Sequence, residues 1–441
     1  MNTQTPQGEV RQILEMNAFK PGDTKAEAVE RRLANLGAAS VLFYRQPIEM
    51  VAAQGAWMIA RDGTRYLDFY NNVPSVGHSH PRVVEAVATQ IGKLNTNTRY
   101  IVAIVDEYLE ALKSHLPAAL SNVVMTCSGS EANDLAIRVA RAATGGTGII
   151  VTETAYHGNT ALVTETSPSA LKRGSLPDHV IAVPPPSAGH FGNDIAGGFR
   201  ASIEAAIAEF GRRGIRPAAL LADSIFSSDG IFADPAGFLR PAVEAMRAAG
   251  GLFIADEVQP GFARTGEAFW GFARHGVTPD LVTMGKPMGN GFPMAGMAAK
   301  PEHLASFCTD VGYFNTFGGN PVAAAAGLAV LDVIREQGLQ QNALETGRLL
   351  LDGLRDIAAS EPRVAEVRGA GLFIGVDLAE EETGRPDADL TVRVIDAMRD
   401  QGVLIGAAGR YGATLKVRPP LCLNQAEAEQ FLSAFRAAIR S

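Results

Sequence analysis

The sequence predicts an α/β fold, because short apolar runs that end in charged residues alternate with amphipathic helical segments. Residues 218–223, 252–255 and 281–284 are such runs, and each has the length of a buried strand. From about residue 336 the pattern changes to charged amphipathic helices that alternate with short strands, which is typical of a smaller α+β domain. A chain of 441 residues is long enough for two domains, and we expect a boundary near residues 330–340.

Composition and charge favour an ordinary globular enzyme. Hydrophobic residues make up 46% and charged residues 20% of the chain, and the formal net charge is −8. A negative net charge gives no support to a nucleic-acid or membrane-surface role. The three cysteines are isolated, so neither a disulfide framework nor a zinc site is expected. The first residues (MNTQTPQGEVRQ) lack the apolar core of a signal peptide and no apolar run is long enough for a membrane span, so we expect a cytoplasmic protein.

The first predicted elements are a helix, a hairpin and a polar loop. Residues 26–55 are expected to form an amphipathic helix followed by irregular chain, and residues 55–69 a hairpin with an Asp-Gly turn. The loop over residues 71–81 is too polar for a regular element and is a candidate site-lining loop. His78 and His80 have no third ligand nearby, so we expect turn histidines there and no metal site.

A strand, a Ser-Gly-Ser turn and a helix are predicted over residues 123–143 (VVMTCSGSEANDLAIRVARAA). Ser128 with Glu131 three residues later fits a capping box at the helix start. Free amides at a helix start, two hydroxyl groups and a glycine that permits close approach form an anion site, which would suit a phosphate. An ordinary capped helix without a ligand is the alternative for this stretch taken alone.

The next predicted strands and helix lead to two further candidate positions. Residues 149–154 form a predicted strand that ends near Tyr156, an aromatic that could stack on a planar cofactor or belong to the core. Residues 183–198 are a Pro/Gly-rich excursion, expected at the surface or over the site. A helix over residues 199–213 precedes a strand that delivers Asp223.

Asp256 and Lys286 follow two of the predicted strands directly. The carboxyl ends of strands in an α/β sheet line the ligand crevice of such folds. A lysine there can form a Schiff base with pyridoxal phosphate, and a carboxylate can keep the pyridine nitrogen protonated. The alternative is a loop-capping aspartate and a solvated lysine. The glycine clusters at 145–148 and 289–291 do not complete a strand–GxGxxG–helix order, so no dinucleotide site is expected.

Taken together, six motifs resemble those of the class III (ω-type) aminotransferases of PLP fold type I. They are LDFYNNVPSVGHSHP, CSGSEAND, AYHGNT, ADEVQPGFARTG, MGKPMGNG and NTFGGNP, in the family's order and at compatible spacings. The resemblance implies a large cofactor-binding domain at residues 66–330 with a mostly parallel seven-stranded sheet. It also implies a C-terminal small domain at 331–441 and an N-terminal segment at 1–65 that packs with the small domain.

The resemblance also implies roles for individual residues. Lys286 would be the Schiff-base lysine and the base that moves the substrate proton, and Asp256 the partner of the pyridine nitrogen. Val258 would pack beneath the ring, Tyr156 above it, and Gln259 would donate to its phenolic oxygen. The other implied cofactor contacts are Ser128, Gly129, Ser130, His157, Asp223 and Thr316. Thr316 would reach the phosphate from the neighbouring subunit, which implies a homodimer with shared active sites.

Two positions depart from the family's pattern. Asp223 stands where most members carry glutamate, and Lys416 stands where many carry the arginine that grips a substrate α-carboxylate. Lysine lacks the bidentate fork of arginine. Arg410, in a glycine-rich loop, is either a mobile replacement or a solvated surface residue. The expected substrate contacts are therefore Asn71, Arg410, Lys416 and Arg418.

The expected activity is transfer of an amino group from an amine or amino acid to a 2-oxo acid such as pyruvate. The stretches LNTNTRY and LKVRPPLCL look especially like a branch of the family that also contains phospholyases. These eliminate phosphate and ammonia from substrates such as ethanolamine phosphate, and this is the alternative because Lys416 and Arg418 could meet a phosphate. A catalytically idle binding module is a third hypothesis, and the intact Lys286 and Asp256 argue against it.

Overall fold

The computed structural model describes Met16 and residues 26–441. Residues 1–12, on which the signal-peptide prediction was based, lie outside the described residues. The same holds for most of the first 25 residues of the predicted N-terminal segment, 1–65. None of the described helices is both long and apolar enough to cross a membrane. The α-helices in this part of the chain are α1 (Glu27–Leu36), α2 (Pro81–Ile91), α3 (Ala103–Lys113), α4 (Gly129–Thr144), α5 (Ala161–Glu165), α6 (Ala188–Phe191), α7 (Ile195–Arg212), α8 (Arg240–Ala248), α9 (Pro301–Asp310), α10 (Pro321–Glu336), α11 (Leu339–Ala358), α12 (Ala388–Asp400) and α13 (Gln425–Ala438).

An antiparallel meander forms the first sheet. Its strands are β1 (Met50–Gln54), β2 (Trp57–Ala60) and β3 (Arg65–Asp68). The hairpin between β2 and β3 confirms the predicted Asp-Gly turn. The predicted helix is α1, but the prediction of irregular chain after it is wrong for residues 50–54, because β1 pairs along β2. All five β1 residues are half-buried or exposed, so no apolar alternation marked this strand in the sequence.

The central sheet has seven strands, and its order is β4-β10-β9-β8-β7-β5-β6. Strand β10 runs antiparallel to both of its neighbours, and the other pairs are parallel, which confirms the predicted mostly parallel sheet. Continuous apolar runs form these strands because helices cover both faces of a parallel sheet. The strands are β4 (Asn122–Thr126), β5 (Gly148–Thr152), β6 (Val180–Val183), β7 (Pro217–Asp223), β8 (Leu252–Asp256), β9 (Leu281–Met284) and β10 (Ala295–Ala299).

A third sheet lies in the C-terminal part of the chain. Its strands, in spatial order, are β11 (Val364–Ala370), β12 (Phe373–Leu378), β15 (Thr414–Val417) and β14 (Gly406–Ala408). Strand β13 (Val403–Leu404) joins the first sheet instead, where it pairs in parallel with β3. The C-terminal part thus contributes a strand to the N-terminal sheet.

Two sequence expectations need correction. The helix predicted over residues 199–213 is α7, which begins four residues earlier, inside the Pro/Gly-rich segment, where its N-cap Asp194 accepts a hydrogen bond from Gly197 N. Strand β11 was missed because Glu366 and Arg368 interrupt its apolar pattern. Arg368 is buried, and its charge is balanced because it donates to both carboxylate oxygens of Asp377 on β12.

The register of the central sheet brings the predicted strand ends together. Asp223 of β7 lies beside Asp256 of β8, and Asp256 lies beside Thr283 of β9. Helix α4 packs on this part of the sheet through its buried apolar face. The ends of three adjacent strands and the start of a helix therefore converge on one crevice.

Candidate active site

Asp256 is held in one orientation by three donors. Its Oδ2 accepts hydrogen bonds from Asn133 Nδ2 at 3.0 Å and from the His157 ring at 2.7 Å, and its Oδ1 accepts one from Val258 N at 3.0 Å. Only 5% of its surface is exposed. Donors to the ionised form stabilise a buried carboxylate, so Asp256 can serve as a fixed negative charge opposite a ring N–H.

No sequence pattern identified Asn133 as a site residue. It lies in the second turn of α4, is fully buried, and its Oδ1 accepts a hydrogen bond from Thr283 Oγ1 at 2.7 Å. Its amide group donates both to Asp256 and, at 2.8 Å, to His157 O. A polar side chain on the otherwise apolar face of the predicted helix was the available signal, because buried amides need partners.

Lys286 follows β9 and faces the same crevice. Burial is the main cause that lowers its pKa, the positive charge of Arg418 lowers it further, and Asp256 and Asp223 oppose the shift. A lowered pKa increases the fraction of neutral amine, which is the form that attacks a carbonyl or accepts a proton. Gly285, just before the lysine, packs on Gly129, and an added Cβ would lie in ordinary van der Waals contact at 3.4 Å from the Gly129 backbone.

The start of α4 has the features of an anion site. Ser128 caps the helix by accepting a hydrogen bond from Glu131 N at 3.2 Å. The Glu131 carboxylate reaches back to Cys127 N at 2.8 Å, one residue before the position in a standard capping box. Within the described residues, the amides of Gly129 and Ser130 have no hydrogen-bond partner. Two free amides at the positive end of a helix suit a phosphate group.

The loop after β5 packs against this helix start. Gly158 has φ of +143°, and a Cβ at this position would lie 2.5 Å from Ser130 Oγ. The same hydroxyl accepts a hydrogen bond from Asn159 N at 3.2 Å. Tyr156 is half-buried in this loop, and burial raises its pKa. The loop thus brings Tyr156 and the buried His157 beside Ser130.

Asp223 and Gln259 belong to one buried network. Burial and the charge of Asp256 raise the pKa of Asp223 to about 6, although it accepts hydrogen bonds from Ser227 Oγ and from Ile225 N. Gln259 Nε2 lies 2.6 Å from Ser227 Oγ, and Gln259 Oε1 lies 2.6 Å from Arg418 Nη1. Ser227 was not predicted as a site residue, because a serine in a predicted loop carries no distinctive signal.

Lys416 and Arg418 bring two buried cations to the crevice from the C-terminal sheet. Their exposed fractions are only 3% and 7%. The Lys416 ammonium lies 5.6 Å from the centre of the Phe373 ring, and the Arg418 guanidinium 4.6 Å from that of Tyr70. Burial, then the charge of Arg418, hold the pKa of Lys416 well below its usual value, and Asp223 opposes this.

The other three predicted contacts make none of the hydrogen bonds described above. Arg410 Nη1 is 2.5 Å from Glu153 Oε2, and both residues line a cavity of about 1080 Å³ between the central and C-terminal sheets. Thr316 is exposed on the surface of the single chain. Asn71 is half-buried, its N–H bonds Asp68 at 2.9 Å, and its side-chain amide lies 3.9 Å from Met58 Sδ.

The two loop histidines have separate partners. His78 Nε2 lies 2.7 Å from Asp68 Oδ2, and His80 Nε2 lies 3.2 Å from Gln337 Nε2. In the described part of the chain, no three His, Cys, Asp or Glu residues are grouped so that they could hold a metal ion.

The donor set fits pyridoxal phosphate. The unpartnered amides of Gly129 and Ser130 match its phosphate, Asp256 matches its ring nitrogen, and Lys286 matches its aldehyde. A side chain at position 129 would press on Val258, because a Cβ there would lie 3.0 Å from the Val258 methyl groups.

Comparisons with known proteins identify the family of the chain. The class III aminotransferase family model matches residues 43–439. The chain is 39% identical to an alanine-glyoxylate aminotransferase 2-like protein of Drosophila melanogaster, over 94% of this chain and 87% of the relative. It is 35% identical to ethanolamine-phosphate phospho-lyase homolog 1 of Caenorhabditis elegans, over 92% of each. A phospholyase structure from Arthrobacter in complex with phosphoethanolamine is 41% identical, with a TM-score of 0.91 over 94% of this chain and all of that one. Since the family model matches residues 43–439 and the relatives match over most of their length, the chain belongs to the class III aminotransferases, the pyridoxal-phosphate enzymes of fold type I.

Proposed function

We propose that this enzyme is a phospholyase that eliminates phosphate and ammonia from a phosphorylated amino alcohol such as ethanolamine phosphate. The observation that carries the proposal is the pair of buried cations, Lys416 and Arg418. Sequence reasoning favoured transamination and kept elimination as the alternative; the surroundings of these cations reverse that preference.

The two cations lie on the same face of the chain, two residues apart at the end of β15. Among the described residues, neither has a carboxylate at ion-pair distance. Burial disfavours the charged forms of both side chains, and a ligand of opposite charge would offset that cost. A phosphate monoester carries about −1.5 to −2 charges at neutral pH, so it balances two cations where a carboxylate balances one.

Unpartnered donors beside Arg418 also indicate an anion. Arg418 Nε and Asn72 Nδ2 are buried and have no hydrogen-bond partner within residues 26–441. The two side chains are adjacent, since Arg418 Nη1 lies 3.3 Å from Asn72 Oδ1. Buried donors are almost always satisfied in the working state of a protein. A phosphate with three acceptor oxygens would satisfy both, whereas Asn71, the predicted contact, is partnered elsewhere.

The chain's own residues suit an elimination. Lys286, whose pKa is lowered by burial, would take a proton from the carbon that bears the substrate nitrogen. When bound, pyridoxal phosphate supplies the electron sink for the electron pair left on that carbon. Lys416 and Arg418 stabilise the negative charge on the phosphate as its C–O bond breaks. Ethanolamine phosphate and water would then give acetaldehyde, ammonia and inorganic phosphate.

The comparisons support the same proposal. The Arthrobacter structure is of a phospholyase in complex with phosphoethanolamine, and it matches over its whole length. The second candidate is transamination between an amine and a 2-oxo acid such as pyruvate. The names of the Drosophila relative and of a 33% identical human relative, alanine-glyoxylate aminotransferase 2, favour it.

The deciding experiment incubates the holoenzyme with ethanolamine phosphate alone and, separately, with an ω-amine and pyruvate. We expect catalytic release of phosphate without a 2-oxo acid, and none from the matched Lys286→Ala variant. Alanine formation without phosphate release would overturn the phospholyase proposal and establish transamination.

We further propose a homodimer with shared active sites. Four large apolar side chains are exposed around Thr316: Tyr100, Ile101, Phe314 and Phe317, with exposed fractions of 67%, 95%, 43% and 70%. The two segments adjoin, since the Arg99 guanidinium lies 4.3 Å from the centre of the Phe314 ring. Contiguous exposed apolar groups of this size mark an interface. Light scattering tests this: Ile101→Asp should yield monomers, and a monomeric wild type would refute the dimer.

A further inference from the structure

The turn after β7 holds an unusual backbone conformation. Phe226 has φ of +52°, although bulky residues rarely adopt the left-handed region. Its ring is fully buried against Phe199 and Phe238, which fixes the turn. Backbone strain of this kind is commonly found at functional positions. The residue that follows, Ser227, is completely buried and points into the site.

Ser227 links two functional groups, and its chemistry sets the direction of each hydrogen bond. A serine hydroxyl has one hydrogen, and Ser227 donates it to the Asp223 carboxylate. The same oxygen must therefore accept from Gln259, which places the Gln259 NH₂ group toward Ser227 at 2.6 Å. The Gln259 carbonyl then faces the other way and accepts from Arg418 at 2.6 Å.

This arrangement leaves one Gln259 hydrogen free. The NH₂ group has two hydrogens, and only one is used by Ser227. Within the described residues the second has no acceptor, so it is available to the phenolic oxygen of the cofactor. If the amide were reversed, its NH₂ group would face the guanidinium and the cofactor would meet a carbonyl oxygen.

We infer that Ser227 is a positioning residue that fixes the Gln259 amide, so that one side chain serves both the cofactor ring and the substrate-binding Arg418. The chain Asp223, Ser227, Gln259, Arg418 is continuous, and every donor in it points toward Asp223. The effect on Arg418 rests on the proposed function, whereas the effect on the cofactor does not.

Two readouts on the holoenzyme test the inference. The first is the pH at which the visible absorbance of the bound cofactor changes. A hydrogen bond from Gln259 to the ring's phenolic oxyanion would weaken the attraction of that oxygen for the protonated Schiff-base nitrogen beside it. Loss of this donor would therefore raise the apparent pKa of the Schiff-base nitrogen. The second is the affinity for inorganic phosphate, measured by calorimetry.

The variants are Ser227→Ala, Gln259→Ala, their double mutant, and Ser224→Ala as the matched control. Ser224 is an equally buried serine three residues earlier. Its hydroxyl donates to Glu257, which is not part of the hydrogen-bonded series from Asp223 to Arg418. We expect Ser227→Ala to raise the spectral pKa by roughly half a pH unit or more and to weaken phosphate binding about three- to tenfold. Ser224→Ala should change neither.

The double mutant separates positioning from general structural damage. If Ser227 acts through Gln259, removing it in the Gln259→Ala background changes neither readout further. An equal effect in both backgrounds, or a spectral pKa unchanged in Ser227→Ala, would overturn the inference. Should Ser227→Ala not fold, Ser227→Cys keeps a weak donor of similar size and should give an intermediate spectral shift. If wild type binds no phosphate, the proposed function fails and the spectral readout still decides the role of Ser227.

Discussion

Replacing Lys416 by methionine should move activity and stability in opposite directions. Methionine has a similar length and no charge, so it removes the cation and leaves the packing of β15 largely intact. Lys416 is 3% exposed and has no carboxylate at ion-pair distance within the described chain. Burial therefore disfavours the charged form of Lys416 in the wild type, and an anionic ligand would offset that cost.

The magnitude follows from the charge that is lost. Hydrogen bonds to charged groups contribute about 1.5–3 kcal/mol. We expect kcat/KM for ethanolamine phosphate to fall by about 30- to 150-fold, which corresponds to about 2–3 kcal/mol. The free energy of unfolding should stay the same or rise by about 1 kcal/mol or more, because an uncompensated buried charge is removed.

The pH dependence of the stability difference between Lys416→Met and the wild type gives a second, independent test. The pKa of Lys416 is lower in the folded than in the unfolded chain, so the unfolded chain binds more protons between the two values. The cost of the charge is fully present below the folded pKa and disappears as the pH rises toward about 10.4, the value in the unfolded chain. The stability advantage of Lys416→Met should therefore shrink as the pH rises through that window.

The assay combines phosphate release with thermal unfolding of the holoenzyme at several pH values. Lys113→Met is the matched control, since Lys113 is exposed at the end of α3 and should change neither quantity. Unchanged kcat/KM in Lys416→Met would refute the assignment of this cation to the substrate. A clear loss of stability at neutral pH would refute the argument that the charge is uncompensated.

Substitutions at three further positions test the cofactor site. Lys286→Ala should abolish turnover and leave the thermal unfolding temperature of the apoenzyme unchanged or higher, because it removes a buried amine; substantial residual activity would contradict the role of this residue. Asn133→Ala removes one of three donors to Asp256, so kcat should fall roughly 10- to 100-fold, measured by phosphate release, while Asn133→Asp should be worse because it adds a like charge. Gly158→Ala would place a Cβ against Ser130, and cofactor affinity by fluorescence titration should fall at least about tenfold; wild-type affinity would show that this loop does not shape the phosphate site.

The parts of the site that the sequence could reveal are those whose local pattern is distinctive. Asp256 and Lys286 are charged residues directly after apolar runs, and the Ser-Gly-Ser turn precedes a helix with a clear apolar face. These patterns depend only on neighbours along the chain. The seven-stranded sheet followed from the family resemblance and is confirmed.

The residues that support these groups could not be found in the same way. Asn133 lies 123 residues from Asp256 along the chain, and Ser227 lies 32 residues from Gln259. Asparagine in a helix and serine in a turn are common, and only the register of parallel strands brings them to their partners. The same limit applies to β1, whose half-exposed residues are defined by pairing with β2 and not by their own pattern.

Asp223 acts on the pKa of Lys416 through its charge but forms no ion pair with it within the described residues. Its carboxylate accepts hydrogen bonds from Ser227 Oγ and Ile225 N instead. A longer acid could extend beyond these donors and neutralise the lysine, and the site would then suit a substrate of lower charge. With the shorter acid retained by Ser227, the positive charges of Lys416 and Arg418 remain available. Under the proposed function, the shorter acid at Asp223 and the lysine at 416 would act together, because both would leave positive charge available to a substrate phosphate.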